Sequence, residues 1–442
     1  MKKLAFLLAL ASLAAGSTAA LDFGGSIDSA TTVEQADSLT LKEEATLSGW
    51  ARLMLGKSLE LYTRGSYTYT IDTPVLLDLD AGWLKGEWDT ADGPSLFELT
   101  LGRFRASDFS RLVLDHTLDG FQLAFSYPNA VLRASAGFTG LIQKPRSDIV
   151  ISKTDEADVN RAAVLFAPPR LVGSFGVELL NVLGSQSLKL AMLFQEDLRL
   201  DDDNVLEAGE ENFFPNQGGL LDTQYLGAGL SGPLGGSLYY DLFVFGNTGQ
   251  MLSYVEDDES ITSSSYQYEP IVAFLGGAGV RYFAPVLSSV VGLRALYASG
   301  DEDAISVVEG NTDGWALAFI PISQSDRALV FSPQLGNLLV GEASFSIKPF
   351  GGLGVPALAN LQAMVKVMVF GRPTTGPVSE GGIDPASDSM YLGSEVDVTI
   401  NYRPFSDLGI ALNGGVFLPG DAIHADRSDP EYVFGLLVSL SF

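Results

Sequence analysis

The segment Tyr432-Val-Phe-Gly-Leu-Leu-Val-Ser-Leu-Ser-Phe442 decides the fold. Every second residue is apolar and bulky: Tyr432, Phe434, Leu436, Val438, Leu440 and Phe442. Small or neutral residues such as Gly435, Ser439 and Ser441 stand between them. Period two across a whole segment makes a strand with one greasy face. A tilted strand of about 9–11 residues crosses a bilayer. This segment is predicted to be one wall strand of a transmembrane barrel.

The same alternation recurs upstream. Leu47, Ala51, Leu53 and Leu55 alternate with Ser48 and Arg52, and Leu59, Leu61, Tyr67 and Tyr69 with Glu60, Arg64 and Ser66. Phe121, Leu123, Phe125 and Tyr127 flank Gln122 and Ser126, and Leu188, Leu190, Met192 and Phe194 flank Lys189 and Gln195. Val365, Val367 and Val369 alternate with Lys366, and Val396, Val398 and Ile400 with Glu395, Asp397 and Thr399. A soluble sandwich also alternates, but its outward face is polar. Here the greasy side is continuous and the polar side sparse, as in a barrel with a polar lumen.

Composition narrows the choice. The 442 residues include 48 Gly, 26 Phe and 15 Tyr, with 18% charged. That mix suits short strands, tight turns and an aromatic girdle. There is no Cys, which rules out disulfides and thiolate chemistry. The formal charge is −28, and −30 once Lys2 and Lys3 are removed. Nucleic acid is an unsuitable partner, because phosphate contacts need Lys and Arg. Lys2 and Lys3, an apolar run from Leu4 to Ala15, and the small residues through Ala20 predict a signal peptide over residues 1–20. Residues 21–442 are then one barrel.

Short connections are predicted at Gly56-Lys57, Pro128-Asn129, Gly232 to Gly236, Pro285 and Pro404. Long ones are predicted at 139–159, 197–220, 248–266, 300–336, 372–389 and 418–430. Short turns belong on the periplasmic side and long loops outside. Strand parity clashes between Phe138 and Leu188, where Pro168-Pro169 sits badly in a ladder. Discarding one segment there leaves an all-β antiparallel barrel of about 18 strands, within roughly 16–20. The last strand is expected to close against the first near Leu21 to Ala30.

Charged residues on the inward side are the candidates for lining a pore. The basic ones are Arg52, Arg64, Arg133, Lys189, Arg281, Arg294, Lys348 and Lys366. The acidic ones are Glu60, Asp78, Asp80, Glu98, Asp241, Glu342, Glu395 and Asp397. Charge on a lumen wall sets selectivity. Acidic runs at Asp201-Asp202-Asp203 with Glu207, Glu210 and Glu211, at Glu256-Asp257-Asp258-Glu259, and at Asp301-Glu302-Asp303 lack the spacing of a defined calcium loop. They read as solvated loops. The two histidines, His116 and His424, fall in predicted loops. Asp115-His116 cannot form a dyad if extended, since neighbours point to opposite faces. No Gly-x-Ser-x-Gly elbow or phosphate loop occurs, so no catalytic residue, metal or cofactor is assigned.

Some stretches resemble known families. The terminal run from Tyr432 to Phe442 resembles the C-terminal signal of bacterial outer-membrane barrels, which implies outer-membrane lipid and the barrel assembly machinery as partners. Leu101-Gly-Arg-Phe104 followed by Leu118-Asp-Gly-Phe121 resembles the strand–loop–strand of substrate-specific porins. Tyr391-Leu-Gly-Ser-Glu-Val-Asp397, Asn401-Tyr402 and Gly415-Val-Phe-Leu-Pro-Gly-Asp421 resemble the C-terminal hairpin of alginate-export-type channels. The resemblance implies a passive channel for small solutes. The chain's acidity departs from the basic lumen of alginate channels and argues against alginate itself. The expectation is an outer-membrane channel for small hydrophilic solutes with a cation preference. An adhesive barrel acting through its long loops is the alternative.

Overall fold

A computed structural model describes residues 20–442 apart from 37, 72–75, 90–94, 150–151, 153–154, 156–163, 200–219, 257–263, 305, 307–313, 353, 355–357, 380–381 and 385. The predicted signal peptide, the acidic run at 201–211 and Asp257-Asp258-Glu259 therefore lie outside the described residues, Ala20 aside. Eighteen strands form one antiparallel sheet that closes on itself. They are β1 (Ala20–Gln35), β2 (Leu39–Leu55), β3 (Leu59–Thr70), β4 (Leu76–Asp89), β5 (Leu96–Ser107) and β6 (Asp115–Tyr127). Then come β7 (Ala130–Phe138), β8 (Arg170–Val182), β9 (Gln186–Asp197), β10 (Leu221–Gly235), β11 (Leu238–Glu256) and β12 (Ser264–Ala284). The rest are β13 (Ser289–Ala298), β14 (Leu338–Ile347), β15 (Gln362–Gly371), β16 (Tyr391–Tyr402), β17 (Leu408–Pro419) and β18 (Glu431–Ser441).

Each strand pairs with its sequence neighbour, and β1 pairs with β18. An up-and-down barrel leaves no free edge along its wall. The seam runs from Ser26↔Ser441 to Gln35↔Tyr432, a few residues further along β1 than the sequence suggested. Beyond it the Phe442 backbone exchanges hydrogen bonds of 2.9 and 3.0 Å with Gly25. Both described ends therefore lie at one rim. That rim also carries the tight turns, such as Gly235 and Gly236, whose positive φ angles of 135° and 56° suit a residue without Cβ.

The outer face is the greasy one. Phe23, Leu47, Tyr67, Phe121, Leu226, Phe274, Val369 and Phe434 are all exposed, at positions that alternate with the inward residues. Trp88, Phe97 and Phe125 stack in a row on this outside, with centroids 5.6 and 4.7 Å apart. Among the described residues no helix is long and apolar enough to cross a membrane.

Two sequence expectations change. The long loop predicted at 248–266 is mostly strand, because β11 and β12 continue to Glu256 and from Ser264. His116 lies in β6, not in a loop. As the ladder argument expected, Pro168-Pro169 lies in no strand; it ends the long β7–β8 connection just before Arg170. That loop is tied down by buried charge: the Arg170 guanidinium meets Asp155 at 2.5 Å and Asp197 at 3.6 Å.

The barrel is not hollow. Its apolar core sits inside, where two loops of the other rim fold into the lumen. One is 108–114, between β5 and β6. The other is the described part of 299–337, between β13 and β14. They meet where the Ile322 and Ser323 N–H groups donate to the Val113 carbonyl at 2.9 and 3.1 Å. Leu114, Phe319, Ile320, Phe331 and Leu335 pack there with the wall residues Tyr225, Phe245, Phe370 and Phe417.

Candidate functional site

The strand register carries the inward charges around the barrel on one face. Arg52 opposes Asp22 and Tyr62, and Glu60 opposes Lys85. Glu98 and Arg133 both oppose Ala124, on either side of it. Glu178 opposes Lys189, and Asp241 and Arg294 both oppose Gly279. Arg294 opposes Glu342, and Lys366 opposes Asp397. Arg64, Asp78, Arg281 and Glu395 fall on this same face by register. A bulge between Arg64 and Gly65 puts Asp80 there too, where it accepts from Ser66 Oγ at 2.6 Å. Lys348 alone of the sixteen candidates lies outside the strands, in the turn after β14.

The two sides of this face differ. On β2 to β5 the charges are paired closely: Arg52–Glu60 at 2.5 Å, Arg64–Asp80 at 3.4 Å, and Lys85 with Glu87 and Glu98 at 2.7 and 2.8 Å. On β8 to β14, apart from the Arg170 cluster at the rim, they are paired loosely. Lys189–Glu178 and Arg281–Asp241 both stand at 3.9 Å, and the buried Arg294 Nε has no hydrogen-bond partner among the described residues.

The 108–114 loop reaches across to this second side. Phe109 stacks on Phe245 of β11 at 4.9 Å between centroids. Phe109 separates two cavities of about 380 Å³ each. Lys189, Asp241, Arg281, Arg294 and Glu342 line one, and Arg105, Asp108, Arg111, Arg133, Glu178 and Lys189 line the other. Asp108 builds the loop that carries Phe109. Its carboxylate accepts from the N–H groups of Ser110, Arg111, Val113 and Leu114 at 2.6 to 3.2 Å. Burial pushes this carboxyl above its ordinary range, while the bonds from Ser110, Leu114 and Val113 pull it down.

Glu395 and Asp397 face inward but lie beneath the 299–337 loop rather than in open water. Glu395 accepts the N–H groups of Leu329, Val330 and Phe331 at 2.9, 2.8 and 2.8 Å. Lys366 Nζ stands 3.7 Å from Asp397 and donates to the Arg327 carbonyl at 2.6 Å. Phe331 stacks on Phe417, centroids 4.3 Å apart and planes within 7°. At the start of the loop, Asp301 is buried and accepts the Leu317 N–H at 3.0 Å, so this acidic run is partly structural rather than solvated.

Sequence reasoning missed Phe109, Arg111, Lys85 and Glu178. Period-two alternation marks Lys85 and Glu87 in Trp83-Leu-Lys-Gly-Glu87, but nothing in the sequence aims Phe109 into the lumen. The Leu101–Phe104 and Leu118–Phe121 stretches do meet: Arg103 donates to both Asp119 carboxylate oxygens at 2.9 and 2.8 Å across β5 and β6.

No known protein family and no curated protein sequence matches the chain. Solved structures match throughout. The Pseudomonas aeruginosa outer membrane protein opdK aligns with a TM-score of 0.58 and 12% identity, covering 96% of this chain and 98% of its own. OccK11 (OpdR) of the same organism aligns at 0.56 and 12%, over 96% of each chain. OccK2 (OpdF), solved in complex with glucuronate, aligns at 0.55 and 15%, over 96% and 98%. This chain shares their fold, a closed single-chain antiparallel barrel. At this identity the likeness establishes architecture, and function rests on the lumen.

Proposed function

We propose that this protein is an outer-membrane channel through which small hydrophilic solutes diffuse passively. The observation that carries the reading is the charge that many strands of a closed barrel place on its inner face, leading to cavities beside Phe109. A barrel this wide leaves an aqueous path unless loops fill it, and the charged stretches of wall that the inserted loops leave uncovered suit water. Residues 1–20 are proposed to direct export and to be cleaved, and Tyr432 to Phe442 to guide assembly. Purified protein in planar bilayers is expected to give discrete conductance steps. A folded barrel with no conductance would overturn the reading and favour an adhesive role for the long loops.

The ion preference follows from charge. A formal charge of −30 once Lys2 and Lys3 are removed concentrates cations at the mouths, most strongly at low ionic strength. A cation preference is the expected result of a reversal-potential measurement across a KCl gradient. The two cavities favour a second reading. Six cations, Arg105, Arg111, Arg133, Lys189, Arg281 and Arg294, line them, and one of the four acids there, Asp108, is committed to backbone N–H groups. If these narrows set the sign, the measurement gives anion preference, and small carboxylates of the glucuronate kind become the favoured solutes.

A further inference from the structure

The paired side of the lumen carries a feature that charge does not explain. Trp50, Tyr62 and Trp83 form a row on the inner face of β2, β3 and β4. Ring centroids are 6.4 Å apart for Trp50–Tyr62 and 5.1 Å for Tyr62–Trp83, with planes inclined by 21° and 22°. Register fixes their side: Tyr62 opposes both Arg52 and Trp83, and Trp50 opposes Arg64. All three rings are half-buried. The Trp50 ring lies against Gly24, where any Cβ would come within 2.9 Å of it. A bare backbone on β1 thus lets the indole rest on the wall.

Aromatic rows on the outer face of a barrel serve the membrane interface, and here Trp88, Phe97 and Phe125 form one. An aromatic row inside a polar lumen cannot serve lipid. Its surroundings are also regular. One step along each strand on the same face stand Ser48, Arg64 and Ala81, with Asp80 turned into the lumen by the bulge beside Ala81; one step the other way stand Arg52, Glu60 and Lys85. A stripe of ring surface is therefore bordered on both edges by hydrogen-bonding groups.

We propose that the Trp50–Tyr62–Trp83 row binds pyranose sugars, which slide along it as they cross the barrel. A pyranose ring has the matching chemistry: C–H groups on its faces and hydroxyls around its rim. The C–H faces lie on the aromatic rings, an apolar contact with defined geometry. The hydroxyls bond to the charged borders, where ionised partners make the stronger hydrogen bonds. The inference rests on the reading that solutes enter the lumen, and it adds their class and their track.

Maltotriose is the probe, and two assays separate this inference from the channel reading. In planar bilayers, maltotriose is expected to block the ion current saturably. The half-blocking concentration should rise about tenfold in Trp50→Leu and in Trp83→Leu, each referred to its own open current. Trp88→Phe and Trp315→Phe, outside the row, should leave the block unchanged. In detergent, a Trp88→Phe/Trp315→Phe protein retains Trp50 and Trp83 as its fluorophores. Its emission should shift saturably with maltotriose, and Tyr62→Leu should weaken the response about tenfold. Saturable fluorescence from a barrel that carries no current would support the sugar site and overturn the channel. A conducting barrel that maltotriose neither blocks nor shifts would overturn the sugar site alone. Equal responses in the folded variants and the parent would do so too.

Discussion

Glu395 shows how one side chain can hold a loop inside a barrel. Its two carboxylate oxygens satisfy three consecutive N–H groups, at Leu329, Val330 and Phe331. Glu395→Gln replaces one oxygen with an amide that faces donors. Leaving buried donors unsatisfied costs about 1–3 kcal/mol. The expected result is faster hydrogen exchange at Leu329 to Phe331 and a noisier channel current, with the strand signals unchanged. Asp301 makes a prediction about pH. Burial first, and the hydrogen bond with Asp303 second, raise its carboxyl to about 7. In the unfolded chain it titrates near about 3.9. Between about pH 4 and pH 7 the opened loop loses this proton while the native one keeps it, so stability falls as pH rises and is flat above. Asp301→Asn should remove that slope and slow exchange of the Leu317 N–H at pH 8.

Among the elements, β18 is the most exposed to a single deletion. It closes the ladder with β1, and Phe442 adds the last two hydrogen bonds to Gly25. Deleting Phe442, or placing Asp there, is expected to lower the fraction of folded, heat-modifiable barrel in the outer membrane, with more degradation in the periplasm; gels of unheated membrane samples read this directly. The strands were legible in the sequence because one side of each must meet an apolar surroundings, and that demand writes period two. The inward face of Arg52, Glu60, Arg133, Lys366 and Asp397 followed from the same rule. The inserted loop was not legible, although Trp315-Ala-Leu-Ala-Phe-Ile-Pro-Ile322 is too apolar for a solvated connection. Alternation says nothing of where a loop goes once it leaves the wall. It also hid Trp50, Tyr62 and Trp83, since an aromatic at an inward position looks like a break in the pattern. The long β11–β12 hairpin was missed because polar residues such as Gln250, Ser253 and Ser264 mark a ladder above the greasy band as readily as a loop.

At the scale of the whole molecule, wall and filling are separable. Every strand has two hydrogen-bonded neighbours without help from the lumen. The 299–337 loop leaves and rejoins the wall at one point, since the Asn337 N–H donates to the Ser299 carbonyl at 2.9 Å. Its interior can therefore be replaced by a short Gly-Ser link without stretching β13 from β14. Removing residues 301–335 would uncover Tyr225, Phe245, Phe370 and Phe417 to water, at a cost of roughly 25 cal/mol for each Å² exposed. It would leave the ladder intact. The expected outcome is a barrel that still resists unfolding in detergent until heated, melts at a lower temperature, and conducts at least about twice the parent current, because the wall alone encloses a wide aqueous path. The same channel reports on selectivity. If loop-borne and mouth carboxylates set the ion preference, excision with loss of Asp301, Glu302 and Asp303 weakens cation preference. If the basic residues beside Phe109 set it, they remain on the wall and the 108–114 loop but in a wider bore, and anion preference weakens instead. Unchanged conductance after excision would show that this loop does not stand in the path of the ions.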